Sequence, residues 1–515
     1  MEIMEKPLIK KMRENYQYFG GMSLLYGLIF AFCLYKNVNG ITFIIYTAST
    51  IAFALLFMKK IEFKLQKKSK RYFIGMILLS IAMVLTNEIF FIFFNWLGIL
   101  LLFGVGMIHQ FYNDAEWNFP SYLKRLFILF GTSIVCIFYP FMHGVNYLSQ
   151  RNQGKRKTLL SILIGILVAL GLLCIILPLL LNSDMVFAKL FGDVLKYINF
   201  STIMGVGFTF IIGFAVCYAF FASLAAYNLP AEADRKMKHF SSVIGITFNS
   251  VIAFVYLIYC GVQILYLFIG FDKGLPAATT YSEYARSGFW ELLFVSVINF
   301  ILVLVCMYLF SDNNVLKGIL TVISGCTYIM LVSAAYRMVL YIDQYHLTFL
   351  RVLVLWFLLV LALIMGGVII TIYRKSFPLF RYITTIVAIC YISFALCRPN
   401  YWIVQYNVAY SEEMTYRDLK YLMIGYSENA ASAIAKMDPE DISVNGEDYT
   451  TNNVKGQLYN YFMRISLNNK DVYFRKANYV RIRAKNIADK YLEEHKDYKK
   501  YSDYNNYSSD YYENL

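Results

Sequence analysis

Apolar residues run along this chain in long blocks that do not alternate with polar positions. The blocks fall at roughly 19–35, 38–58, 72–86, 89–108, 126–142, 158–181, 199–226, 241–270, 288–310, 318–335, 350–373 and 379–397. Thr158 to Leu181 is 24 residues without a charge, and Val352 to Tyr373 is 22. A helix needs about 20 apolar residues to cross the hydrocarbon core, and in lipid its backbone N–H and C=O groups must be satisfied within the segment. A barrel would instead show alternating segments of about ten residues. The pattern therefore predicts an all-α fold: a polytopic transmembrane helix bundle of 11 to 12 spanning helices, then a small, mostly helical C-terminal soluble region.

Basic residues orient the runs, because Lys and Arg in short loops stay cytoplasmic. The N-terminus carries Lys6, Lys10, Lys11 and Arg13, and 59–71 carries Lys59, Lys60, Lys64, Lys67, Lys68, Lys70 and Arg71. Three later basic loops, 143–157, 227–240 and 374–381, are separated by even numbers of runs and so share a side. Three runs separate 59–71 from 143–157, however, and an odd number of crossings cannot join two cytoplasmic loops. One of the three is then interfacial, re-entrant or half-length: 72–86, which is short, or 126–142, with Pro140 near its end. Eleven full crossings are expected, with the N-terminus cytoplasmic and the C-terminal region extracellular. No small-x-small cleavage site follows the first run, which reads as a retained signal anchor.

Composition agrees with lipid as the solvent. Hydrophobic residues are 59% of the 515 and charged residues 16%, against about half and about a quarter in soluble domains. From Arg398 onward there are 16 basic and 17 acidic residues, which leaves 31 and 16 in the membrane part. The basic excess thus orients helices and is no nucleic-acid footprint, which would be a basic patch on a soluble domain. The nine cysteines lie in or at the ends of apolar runs, without CxxC or Cys/His spacing. They read as packing residues, with no metal site and no cofactor expected. The expected organisation is an N-terminal membrane part over 1–157, a seven-helix core over 158–397, a helical soluble region over 398–495 and a disordered Tyr-rich tail over 496–515. Helical spacing in the soluble region falls at Tyr416 to Met437 and Val472 to His495.

One polar constellation stands out. The segments 182–198, 271–287, 336–349 and the C-terminal region are separated by pairs of runs and share the side opposite the later basic loops. They bring Asp184, Glu283, Tyr284, Arg286, Glu291, Arg337, Tyr341 and Asp343 to the ends of membrane helices. Glu283 and Arg286 are three apart and can pair on a helix, Arg337 and Tyr341 share a face, and Glu291 enters its apolar run furthest. Singly, such residues are ordinary interfacial anchors. Clustered with both signs on one side, they predict an outward-facing polar cavity that takes a small-molecule or lipid ligand, or docks the C-terminal region.

Several stretches resemble a bacterial family of multi-pass membrane proteins, the domain-of-unknown-function family 4173, close to family 4153. They are Val262-Gln-Ile-Leu-Tyr266, Tyr281-Ser-Glu-Tyr-Ala-Arg286, Asn182-Ser-Asp184-Met-Val-Phe187 and Arg337-Met-Val-Leu-Tyr341 with His346-Leu-Thr348-Phe-Leu-Arg351. Asn400-Tyr-Trp-Ile-Val-Gln-Tyr-Asn407, Asp418-Leu-Lys-Tyr421 and Phe474-Arg475-Lys-Ala-Asn478 are similar to its C-terminal pattern. The resemblance covers Thr158 onward and implies a bacterial cell-membrane protein with no assigned activity. Phosphate-loop, HExxH and GxSxG motifs are absent. Three functions are compatible: transport or lipid handling through the cavity, a non-enzymatic sensor or envelope assembly factor whose C-terminal region docks there, and, least supported, a transferase using Asp184, Glu283 or Glu291 as base.

Overall fold

The computed structural model describes residues 7–66, 69–112, 117, 119–151, 200–226, 240–268, 289–374, 376–411, 414–444, 450–470 and 474–502, with isolated positions between 165 and 183. These are almost wholly helical, apart from a parallel pair of two-residue strands, β1 (Met414–Thr415) and β2 (Ile442–Ser443). The chain forms two compact units. Unit 1 is Met1–Ala231 with Tyr473–Asn478, and unit 2 is Glu232–Val472 with Tyr479–Leu515. The division falls later than the boundary at 157 drawn from the sequence.

Unit 1 contains α1 (Pro7–Glu14), α2 (Tyr16–Leu34), α3 (Thr42–Lys60), α4 (Lys70–Val84), α5 (Ile89–Phe111), α6 (Phe119–Val135), a 3₁₀ turn at Cys136–Phe138, α7 (Tyr139–Arg151) and α8 (Phe200–Ala226). At the α1 end, Lys11 pairs with Glu62 at 3.2 Å, Phe19 packs on Phe57, and Gln110 Nε2 donates to the Lys64 carbonyl at 2.7 Å. At the opposite end the 35–41 turn meets the end of α4 and the start of α5. There the Gly40 N–H donates to the Met83 carbonyl and Trp96 Nε1 to the Val38 carbonyl at 3.2 Å. Helix α8 runs antiparallel to α2, its Gly213 against the Phe30 ring and its backbone at Phe210 against Gly27. Small residues of this kind let membrane helices approach closely.

Two short segments bear on the parity conflict. Helix α4 has 15 residues, about 22 Å at 1.5 Å per residue. It nevertheless joins both ends, with Tyr72 against His109 near the α1 end and Met83 under Gly40 at the other. A bilayer accommodates so short a span by thinning locally. The α6–α7 segment behaves oppositely. It starts beyond the α1-end terminus of α5, and Thr132 meets Ser223 of α8 at 2.5 Å. Its apex reaches mid-bundle, where Phe141 contacts Phe214, and Phe214 lies beside Gly27 of α2. Further along, His143 Nδ1 bonds the Tyr218 hydroxyl at 2.8 Å, and the Tyr147 hydroxyl donates to Gln17 near the start of α2 at 3.1 Å. A 3₁₀ turn interrupts the segment at Cys136–Phe138 with right-handed helical backbone on both sides, and Pro140 follows in the first turn of α7, a position where proline costs no hydrogen bond.

Ten described helical segments are long and apolar enough to cross a membrane, a set that includes Phe119–Tyr147 and omits α4. Length and composition alone decide that set, whereas the contacts show α4 reaching both ends and α6–α7 reaching one. Of the expected run 158–181 only isolated positions are described.

Unit 2 contains five further long helices, α9 (Ser242–Phe268), α10 (Phe289–Leu309), α11 (Asn314–Tyr345), α12 (Phe349–Tyr373) and α13 (Leu379–Leu396). Buried polar side chains join them. The Tyr256 hydroxyl donates to Asn299 at 2.8 Å, Asn299 donates to Thr327 at 3.0 Å, and Ser333 donates to Gln263 at 2.7 Å. A C-terminal domain follows, with α14 (Pro399–Tyr410), α15 (Tyr416–Gly425), α16 (Ala431–Ile434), α17 (Thr451–Asn468) and α18 (Tyr479–Glu494). Its core holds Leu419, Leu422, Ile434, Val454, Leu458, Phe462, Ala484 and Tyr491. Helix α15 starts with a reciprocal Thr415–Asp418 capping box. Helix α17 was not anticipated, although Val454, Leu458, Tyr461, Phe462 and Ile465 have helical spacing. Lys496–Tyr501, expected to be disordered, forms a 3₁₀ helix, and the expected tail over 503–515 lies outside the described residues.

Candidate functional site at the α11–α12 turn

Four of the eight constellation residues are described. Glu291 is exposed in the first turn of α10. Arg337 is half-buried on α11, within electrostatic reach of Tyr259 on α9. Tyr341 lies one turn further on, and Asp343 is exposed in the last turn. Asp184, Glu283, Tyr284 and Arg286 lie outside the described residues.

Tyr341 carries a cation from the start of the next helix. The Arg351 guanidinium lies 4.1 Å from the centre of the Tyr341 ring, and Tyr345 packs on its neighbour at 5.1 Å. Arg351 also donates to the Tyr345 carbonyl at 2.6 Å and to the His346 carbonyl. These are last-turn acceptors of α11 that a helix cannot satisfy internally, and a cation there also opposes the negative helix end. His346 ends the helix in the left-handed region, at φ +61°. Its chain signal was present in the sequence, since Arg351 sits three residues past Thr348 at the start of the next run, but nothing there says that it folds back.

The turn carries the C-terminal domain. Asn407 of α14 accepts from the Leu347 N–H at 3.0 Å and donates to the Leu347 carbonyl at 2.8 Å. Leu347, Phe349 and Val352 pack against the domain core. An amide that pairs with both backbone groups of one residue fixes register as well as contact, since any slip breaks both bonds.

A second set of contacts, inside unit 1, involves Tyr473–Asn478. The Arg475 carbonyl accepts from Asn37 Nδ2 at 2.9 Å and from the Thr42 hydroxyl at 3.0 Å. Arg475 Nη2 donates to the Tyr35 carbonyl at 2.5 Å, and the Ala477 carbonyl accepts from the Ile41 N–H at 2.9 Å. Asn478 Nδ2 donates to the Thr86 carbonyl at 2.6 Å and the Met83 carbonyl at 3.3 Å. Gly40, at φ +100°, admits this close approach, because a Cβ there would stand 2.9 Å from the Ala477 oxygen. Spacing gave no hint of these partners, which are separated by about four hundred residues and use main-chain acceptors.

Residues 73–437 match the family described as Domain of unknown function (DUF4153). The chain belongs to that family. The DUF4153 match starts well before Thr158, so it reaches further into the N-terminal half than the quoted resemblance did. The finer likeness to family 4173 rests on the quoted residues alone. No curated protein and no solved structure matches the chain. Membership of the DUF4153 family and a bundle of long apolar helices together make this a multi-pass membrane protein of a domain family without an assigned activity.

Proposed function

We propose that the protein is a non-enzymatic envelope sensor or assembly factor in which the helix bundle presents the C-terminal domain on the outer face of a bacterial cell membrane. The observation that carries this reading is the reciprocal Asn407–Leu347 pairing, with Leu347, Phe349 and Val352 packed on the domain core. It places the domain on the turn that ends the Arg337–Asp343 stretch, so a ligand reaching those residues and a change in the domain can report on one another. Contacts within unit 1 support this orientation. The 35–41 turn is one crossing from α1 and is held by 474–478 of the C-terminal region, while 59–71 is the most basic loop and belongs in the cytoplasm.

The test is complementation of a strain lacking the protein, scored as growth under envelope stress. Residues 1–397 are expected to insert normally and fail to complement, and Asn407→Ala in the full chain to complement partially. Full complementation by 1–397 would refute the reading. A second reading, transport or lipid handling, draws on α6–α7. Its Thr132 and His143 hydrogen-bond Ser223 and Tyr218 of α8, and polar or ionisable side chains within membrane helices mark substrate pathways. Under it, Arg337→Ala and Asp343→Asn abolish function with insertion intact, whereas 1–397 retains function.

A further inference from the structure

A separate cluster forms where the first turns of α14 and α18 meet. Arg398 joins α13 to α14 with φ +53°. That left-handed conformation costs a non-glycine residue about 1–2 kcal/mol and persists only where the surroundings impose it. The Arg398 guanidinium lies 5.1 Å from the centre of the Tyr401 ring and 5.0 Å from that of Tyr479. Arg483 lies 5.2 Å from the same Tyr401 ring and donates to the Tyr479 hydroxyl at 3.4 Å. Two guanidinium groups thus share two phenols, and among the described residues no carboxylate forms an ion pair with either. Burial pulls the Arg398 pKa down, and the like charge of Arg483 pulls the same way. The Arg398 Nε is buried without a hydrogen-bond partner.

The surroundings point to the membrane surface. Helix α14 begins three residues after α13 ends at Leu396. Its Trp402, Tyr406 and Tyr410, spaced by four, are 63%, 42% and 69% exposed, while Ile403, Val404 and Asn407 on the other side are buried. Such an aromatic stripe belongs at headgroup depth. Interfacial anchoring alone accounts for the stripe. It does not account for two adjacent guanidiniums that no carboxylate among the described residues pairs with, one of them held in a strained backbone.

We propose that Arg398, Arg483, Tyr401 and Tyr479 form a binding site for a phosphate anion at the membrane surface. The site extends beyond the proposed sensing role and does not depend on it. Arginine forks match phosphate oxygens in pairs, and the phenol hydroxyls can donate to the same group. The headgroup of an anionic phospholipid is the ligand that the adjoining stripe favours, and a soluble phosphate has the same chemistry.

The experiment uses the full chain in detergent, with retained lipid read by native mass spectrometry after adding phosphatidylglycerol or phosphatidylcholine. Phosphatidylglycerol is expected to be retained preferentially. Arg398→Asn and Arg483→Gln should each weaken retention about tenfold, or about 1.4 kcal/mol. Asparagine tolerates the left-handed region better than arginine, so the first variant is expected to fold at least as well as the parent. Retention that resists millimolar inorganic phosphate assigns the site to lipid. Displacement, or direct binding of phosphate that both substitutions weaken, assigns it to a soluble phosphate. The proposal is overturned if the parent and both variants retain phosphatidylglycerol equally and none binds phosphate. It is equally overturned if the parent neither prefers phosphatidylglycerol nor binds phosphate.

Discussion

Asn478→Ala tests how firmly 474–478 is held in unit 1. Asn478 is fully buried, and its amide donates at 2.6 Å to the Thr86 carbonyl and at 3.3 Å to the Met83 carbonyl. Leaving buried acceptors without donors would cost about 1–3 kcal/mol. Neither acceptor is orphaned here, however. The Thr86 oxygen also accepts from Asn39 at 3.2 Å, and the Met83 oxygen accepts from the Gly40 N–H. The loss should therefore be that of one good hydrogen bond and one long one, about 1–1.5 kcal/mol. The Ile41 N–H, which donates to the Ala477 carbonyl at 2.9 Å, reports opening of the segment through hydrogen exchange in the detergent-solubilised full chain. At about 1.4 kcal/mol per tenfold, its exchange should accelerate roughly 5- to 15-fold, with amides in the middle of α3 unchanged. Asn478→Asp, which aims a carboxylate at two carbonyl oxygens, should accelerate it more. Unchanged Ile41 exchange in both variants, with α3 protection intact, would show that these bonds do not hold the segment.

Other outcomes follow from single contacts. Arg351→Ala should lower the thermal stability of the solubilised chain by about 1–2 kcal/mol, through loss of the stack on Tyr341 and of the cap on α11. Arg351→Lys should recover only part, because an ammonium lacks the fork, and full recovery would reduce the contact to charge alone. Gly456→Ala would place a Cβ 2.2 Å from the Tyr501 backbone oxygen. It should therefore displace 496–501 and expose it to limited proteolysis, and unchanged cleavage would show that the 3₁₀ segment packs elsewhere. Asn299→Leu should cost little, about 0.6 kcal/mol per bond lost, as is typical between membrane helices, despite its complete burial. Asp489 bonds Lys485 at 2.8 Å and Ser466 at 2.5 Å. Burial pushes its carboxyl up, but Lys485 and Ser466 outweigh that and hold it below the usual range. A depressed folded pKa gives stability that is present above the unfolded value, about 3.9, and lost as pH falls through the folded one. Melting of the full chain should thus weaken below about pH 4, and less steeply in Asp489→Asn.

The membrane part was legible because it rests on properties that each residue carries alone. Apolar runs predicted nearly every described long helix, and charge parity predicted that one run among three does not cross. Parity could not choose between them. Length pointed to 72–86, since α4 is only 15 residues, yet that helix reaches both ends of unit 1, while the end of the α6–α7 segment contacts the start of α2. The deciding contacts join Tyr147 to Gln17 and His143 to Tyr218, which neither run reveals. Within the constellation, sequence spacing put Arg337 and Tyr341 on one face and said nothing of what else meets that ring. The observed cation on that ring is Arg351, positioned by carbonyls at the end of the same helix. The Asn407–Leu347 and Asn478–Thr86 bonds share this character, each joining a distinctive side chain to the main chain of a residue whose identity is incidental. A sequence advertises donors such as Arg351, Asn407 and Asn478 but not the acceptors, because every residue offers the same carbonyl. Polar residues in this chain are therefore better read as half of a contact with a chosen backbone turn than as members of a side-chain cluster. By that standard Arg398 and Arg483 are the exception, since their partners are rings and hydroxyls of other side chains rather than a chosen backbone turn.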